Sequence, residues 1–156
     1  MELISEINFG LNSTPIKYSN LIKKNYQRVV SEGSFSFKDQ IYLYSLNEKG
    51  KPGYDIITPF KTNNNEDVLV NRGWIEKDLK GSSEINTNVE SKKITGLLRK
   101  IYRPNMFKPE NDLKNNIWFS INLDDMEKFT KTEYPNYVIF LENPKIKVPL
   151  PKKITI

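Results

Sequence analysis

Short runs of alternating apolar and polar residues, closed by glycine, proline or asparagine, succeed one another along this chain with no long helical pattern between them. That succession constrains the fold more than any other feature. Strands joined by turns pair antiparallel with their neighbours, whereas parallel pairs need crossover connections of a dozen or more residues. From Tyr26 the period is two: Gln27, Val29, Ser31, Gly33 and Phe35 share one face, and Tyr26, Arg28 and Val30 the other. Residues 41–46 are rich in β-formers and run into a turn over 47–53, so 54–60 reads as the return strand of a hairpin. Pro59 there marks an edge position or a strand end, because proline donates nothing to a ladder. Residues 68–75, 94–102, 117–121 and 137–141 complete the set of strands. A short helix is expected over 16–24, entered through Pro15, and a second over 124–129, where Asp124 and Asp125 suit a helix N-terminus. The expectation is a mainly β (α+β) fold, with about six to eight strands in an antiparallel sheet closed or nearly closed into a barrel, and one or two short helices.

The length fits a single domain over 1–156, and a chain near that size buries about 70% of its unfolded surface. No apolar run approaches the roughly 20 residues that cross a bilayer as a helix. Histidine and cysteine are absent, which excludes Cys-His and Ser-His-Asp catalysis, thiolate or imidazole zinc sites and Cys-ligated clusters within this chain. The 24 basic residues exceed the 19 acidic ones, a surplus compatible with nucleic acid, anionic lipid or an acidic partner. The basic pairs Lys23-Lys24, Lys92-Lys93 and Lys152-Lys153 are scattered among acids, so a solvated basic surface is the reading preferred over a nucleic-acid interface.

Three segments stand out. In 68–75 (Val-Leu-Val-Asn-Arg-Gly-Trp-Ile), strict alternation puts Arg72 on the face of Val68, Val70 and Trp74, where an unpaired charge is costly. Either a bulge at Gly73 redirects Arg72, or the guanidinium meets a carboxylate while stacking on Trp74. Arg72 then either pins a strand end or faces a partner. In 107–119, from Phe107 through Asn111, Asp112 and Asn116 to Trp118, an Asn/Asp loop leads into a strand on which Trp118 stands apart from Ile117, Phe119 and Ile121. Trp118 is either an exposed interaction anchor or packs on a helix across the back of the sheet. Asp112, Asp124 and Asp125 tempt a carboxylate-pair reading, but capping and the helix dipole explain the last two.

At these residues the sequence resembles the surfeit locus protein one family, which assists assembly of cytochrome c oxidase. The resemblance runs over about 15–141: Tyr26, Arg28 and Val29 with Gly33 and Phe35; Gly53 and Tyr54 with Thr58, Pro59 and Phe60; the segment 68–75; Gly96 to Arg99; and the block from Phe107 and Pro109 through Asn111, Asp112 and Asn116 to Trp118. It implies that 1–14 and 145–156 are tails leading to membrane helices absent from this chain. The parent would then sit in the inner membrane, cytoplasmic or mitochondrial, with this domain on the periplasmic or intermembrane-space side. It also implies a non-enzymatic role, with an oxidase subunit or another assembly factor as partner. Haem a would be a cofactor of the full-length parent and none would be carried here. Candidate partner-binding residues are Asn71, Arg72, Gly73, Trp74, Arg99, Asn111, Asp112, Asn116 and Trp118. Arg28, Gly33, Phe35, Gly53, Thr58, Pro59, Phe60 and Gly96 are the structural motif. A barrel holding haem or another ligand, its propionates paired with Arg72 and Arg99, and a single-strand nucleic-acid barrel are the alternatives.

Overall fold

The structure, a computed structural model, describes residues 2–85, 93–102 and 108–142. Phe107, Met106 and the tail 145–156 lie outside the described residues. The elements in chain order are α1 (Glu2–Asn12), β1 (Ile16–Lys17), β2 (Arg28–Phe35), β3 (Ile41–Leu46), β4 (Pro52–Thr62), β5 (Asp67–Glu76), β6 (Lys93–Lys100), α2 (Leu123–Thr130) and β7 (Tyr137–Leu141). Single turns of 3₁₀ helix stand at Phe37–Asp39, Lys77–Leu79 and Ser83–Ile85.

Hydrogen bonds run from β2 to β6, β7, β5, β4 and back to β2, so five strands form a closed ring. The sheet is mainly antiparallel, as the turn-joined pattern predicts, but β1 pairs parallel with β2 and β5 parallel with β7. The second of these is possible because β6 and α2 lie between β5 and β7 in sequence, which is connection enough for a parallel pair. Closure depends on β4: residues 52–57 pair with β3 and residues 60–62 with β2. Pro59 falls between the two sets, where a missing N–H costs least, and so sits inside a long strand instead of ending one.

Tyr18, Val29, Phe60, Val68, Val70, Ile94, Leu98, Tyr137 and Ile139 fill the ring. Residues β-paired across strands share a face, so Leu69, Val138 and Ile57 turn outward together. Trp118, Met126, Phe129 and their neighbours cover them. Helix α2 forms that cover because Asn122 accepts the Asp125 N–H (3.1 Å), Asp124 and Asp125 occupy its first turn, and Met126 is fully buried. Lys131 ends it in a left-handed conformation.

Three expected elements differ. Residues 16–24 are not a helix: Ile16 and Lys17 pair with Val29 and Val30, and the Tyr18 N–H donates to the Val30 carbonyl (2.8 Å), delivering Tyr18 to the core. The helix lies earlier, over Glu2–Asn12, with Ile7 packed on Tyr26 and Leu97. The β2 strand starts at Arg28 because Tyr26 has φ +62°. Residues 117–121 do not form a strand. The Asn111 side-chain oxygen accepts the N–H groups of Phe119 (2.7 Å) and Ser120 (3.2 Å), so that backbone bonds a side chain in place of a neighbouring strand. Among the described residues no helix is long and apolar enough to cross a membrane.

Candidate functional site

The register of β4 against β5 slips between Asp55 and Ile57: Asn71 opposes Ile57 and Trp74 opposes Asp55, leaving Arg72 and Gly73 against one residue. This is a β-bulge, and Gly73 takes φ +124°, a conformation side chains rarely adopt. Its consequence is a change of face. Arg72 stays on the side of Val68 and Val70, while Trp74 moves to the other with Asn71 and Asp55. There its indole N–H donates to the Ser45 carbonyl (3.1 Å). Asn71 stabilises the bulge from both ends, donating to Asp55 Oδ2 (3.1 Å) and accepting the Gly73 N–H (3.0 Å).

Arg72 is 2% exposed. Its Nη1 donates to Gln40 Oε1 (2.7 Å) and its Nη2 to the Ile85 carbonyl (2.5 Å). The guanidinium lies over Phe37 (5.0 Å) and Phe35 (5.6 Å), not over Trp74. Burial is the main effect on its acidity and brings its pKa down from the ordinary guanidinium range to about 10, with Tyr42 opposing. Phe35 meets Phe60 edge to face, which ties this stack to the barrel core.

Gln40 is the hub. Its side-chain oxygen also accepts the Thr58 hydroxyl (2.6 Å), and its backbone carbonyl accepts Asn116 Nδ2 (2.8 Å). Asn116 Oδ1 in turn accepts the Trp118 indole N–H (2.8 Å). One hydrogen-bonded chain therefore joins Arg72, Thr58, Asn116 and Trp118, residues drawn from three separate sequence motifs. Trp118 has no exposed surface and meets Phe129 of α2 edge-on at 5.7 Å, which realises the packing alternative and not the exposed anchor. Asn116 reaches both partners from φ +52°.

The 111–116 loop is built the same way. Asn111 also donates to the Ser120 carbonyl (3.1 Å) and Asp125 Oδ2 (3.0 Å), which fastens the loop to α2. Asp112 accepts from the Asn115 side chain (2.7 Å) and backbone (3.2 Å), and these bonds, the side-chain one first, hold its carboxyl below the usual range. Lys80, at the end of the Lys77–Leu79 turn, closes the arrangement, donating to the Asn115 carbonyl (3.0 Å) above the rings of Tyr42 and Tyr54.

The structural-motif residues take up positions around this network. Methyl groups on Gly33, Gly53 and Gly96 would strike the carbonyls of Lys61, Ile75 and Phe140 on neighbouring strands, and at Gly53 the Trp74 ring as well. Arg28 holds Glu142 bidentately (2.7 and 3.0 Å) and the Ser13 carbonyl (2.9 Å), fixing β2 to the end of β7. Arg99 lies over Phe140 at 5.7 Å and is paired with Val138, on the outer face. Arg72 and Arg99 thus stand on opposite faces and share no rim for a propionate pair. Sequence reasoning missed Gln40 and Phe37. Their only signal is a polar residue and an aromatic just before the 41–46 run, which does not distinguish a hub from a turn.

A cavity of about 520 Å³ opens outside the ring, lined by Ile101, Tyr102, Ile121, Asn122, Leu123, Asp124 and Asn136. Among the described residues no cluster of three acidic side chains is arranged to hold a metal ion.

The sequence model of the SURF1 family matches residues 2–154. A SURF1-like protein of Rickettsia prowazekii (strain Madrid E) is 32% identical over 139 residues, covering 88% of this chain and 55% of the relative. One of Rickettsia conorii is 32% identical over 123 residues, covering 78% and 51%. Surfeit locus protein 1 of Gallus gallus is 27% identical over 155 residues, covering 85% and 50%. The chain spans about half the length of the curated relatives it matches.

Proposed function

The chain belongs to the SURF1 family, and from that premise we propose that it is the extramembrane domain of a non-enzymatic assembly factor for cytochrome c oxidase. In this reading the barrel recognises an oxidase subunit or another assembly factor during haem a insertion. The parent is held in the inner membrane with this domain on its outer side, and haem a belongs to the parent. The observation that carries the reading is the family match over 2–154, which takes in every motif segment joined by the buried network. The network supports a scaffold role. Asn71, Arg72, Asn111, Asp112 and Asn116 direct donors and acceptors to partners within the fold, which fixes the outer surface that a partner meets.

The ligand-barrel alternative is weakened by the interior, which is packed with nine buried side chains. Affinity capture of the full-length parent is the test: oxidase subunits or other assembly factors are expected to co-purify with it. Titrating haem into the 156-residue chain is expected to give no tight, stoichiometric complex, since the chain offers neither imidazole nor thiolate. A stoichiometric haem spectrum would overturn the reading in favour of a ligand-binding domain.

A further inference from the structure

The positive surplus of this chain is unevenly spread. Residues 15–28 carry Lys17, Lys23, Lys24 and Arg28, residues 93–102 carry Lys93, Arg99 and Lys100, and neither segment contains an acid. The seventeen remaining cations are outnumbered by the nineteen acids. The fold brings the two segments together. Strand β2 pairs with β6, the Tyr26 N–H donates to the Leu98 carbonyl (2.7 Å), and Asn25 binds both the Lys100 N–H (2.9 Å) and the Tyr102 hydroxyl (3.2 Å).

At this end Tyr18 is buried in the barrel core and Ile22 packs against it, so the 19–25 loop turns Leu21, Lys23 and Lys24 outward. Leu21 is 86% and Tyr102 63% exposed, and the Lys100 ammonium lies 6.0 Å from the Tyr102 ring. Arg28 is committed to Glu142, and Lys93 pairs across from Glu32 farther along β6. The exposed cations of the 19–25 loop and the end of β6 are therefore Lys23, Lys24 and Lys100, and Lys17 is exposed on β1. Two carboxylates border the patch: Glu66, which accepts the Asn20 N–H, and Asp124, which lines the same cavity as Tyr102.

A single exposed leucine needs no explanation. A leucine and a tyrosine at one end of a barrel among three lysines have the makeup of a bilayer-interface surface. The apolar tip enters below the headgroups, the lysine stems snorkel to anionic phosphates, and the phenol sits at the boundary. A nucleic-acid groove would instead set aromatics along basic strands as stacking platforms, and Leu21 supplies none. We propose that this end of the barrel, with Leu21, Lys23, Lys24, Lys100 and Tyr102 at its tip, docks on an anionic lipid surface. The docking stands whether or not the oxidase is the partner, since it concerns how the domain lies and not what it assembles.

Co-sedimentation tests it, with vesicles of phosphatidylcholine alone and of phosphatidylcholine containing about one-third phosphatidylglycerol. The 156-residue chain is expected in the pellet with the anionic vesicles only. Lys23→Gln and Lys24→Gln are each expected to weaken binding about fivefold. Leu21→Ser, which leaves every charge in place, is expected to weaken it about tenfold. All three side chains are exposed, so the variants should unfold with the parent. A chain that stays in the supernatant with anionic vesicles overturns the proposal. So does Leu21→Ser binding as the parent does, and retention on single-stranded DNA insensitive to that change would reassign the patch to a polyanion.

Discussion

Replacing Arg72 by lysine keeps the charge and removes the fork. The guanidinium donates to Gln40 Oε1 and to the Ile85 carbonyl, and stacks on Phe35 and Phe37 while 2% exposed. A hydrogen bond from a charged donor contributes about 1.5–3 kcal/mol when its loss strands a buried acceptor. A lysine that retains one of the two bonds and loses the planar stack should therefore destabilise the domain by about 2–4 kcal/mol. For a domain of about 150 residues that lowers Tm by about 5–15 °C. Urea unfolding followed by tryptophan fluorescence is the assay, since Trp74 and Trp118 are both buried and both flank the network. Arg72→Met removes the buried charge along with its desolvation cost and should be no worse than Arg72→Lys. The two also separate by pH. Arg72 has a folded pKa of about 10, below its value in the unfolded chain, so between the two the unfolded chain binds more protons. The parent should gain stability relative to Arg72→Met as pH rises through that window, and the difference should be flat below pH about 10. If Arg72→Lys unfolds within about 0.5 kcal/mol of the parent, the network does not hold the bulge and the argument fails.

Three further changes probe the rest of the frame. Gly53→Ala sets a methyl against the Ile75 carbonyl and the Trp74 ring and should cost about 1–3 kcal/mol, read from the urea midpoint together with a shift in Trp74 emission; no loss would mean that β4 and β5 lie farther apart. Trp118→Phe keeps most of the ring but leaves the half-buried Asn116 Oδ1 without its indole donor, and should lower stability by about 1–3 kcal/mol without changing binding to anionic vesicles. Burial first, and Glu66 second, push the Tyr18 hydroxyl above its ordinary value of 10, so the folded chain keeps a proton that the unfolded chain loses; stability from this group falls as pH rises past 10, and Tyr18→Phe should flatten that fall in a pH series of urea melts.

Alternation and runs of β-formers found β2, β3, β4, β5, β6 and β7 to within a few residues: β2 alternates because one face enters the core, whereas β4 and β5, buried on both faces, are near-continuous apolar runs. Alternation failed where backbone groups bond to side chains. Nothing in residues 117–121 reveals that Asn111 takes the Phe119 and Ser120 N–H groups, so an alternating run reads as a strand although it pairs with none beyond isolated bridges. The 16–24 helix failed because its apolar residues, Tyr18 and Ile22, answer to the barrel core and not to a helix face. The bulge was half legible. Gly73 beside a charge in an apolar strand signals an irregularity, but which of Arg72 and Trp74 keeps its face depends on the partner strand. The network joining the motifs was not legible at all. Its hub, Gln40, lies in no motif, and it meets Thr58, Arg72 and Asn116 only after the ring has closed.

That arrangement separates two ways in which a substitution in this domain can act. Four of the residues that carry the family likeness are interior: Arg72, Trp74, Thr58 and Trp118 are each at most 4% exposed. They cannot touch a partner without opening the fold, so changes at them should act through the folded fraction, lowering abundance several-fold for each 1–2 kcal/mol or so lost. Leu21, Lys23 and Lys24 contribute little to the core, and changes there should leave the melting curve in place while removing an interaction. A variant that keeps its Tm and loses function therefore points to the surface, and one that loses both in proportion points to the network. The buried part of the motif is in this sense a record of how the barrel stays closed.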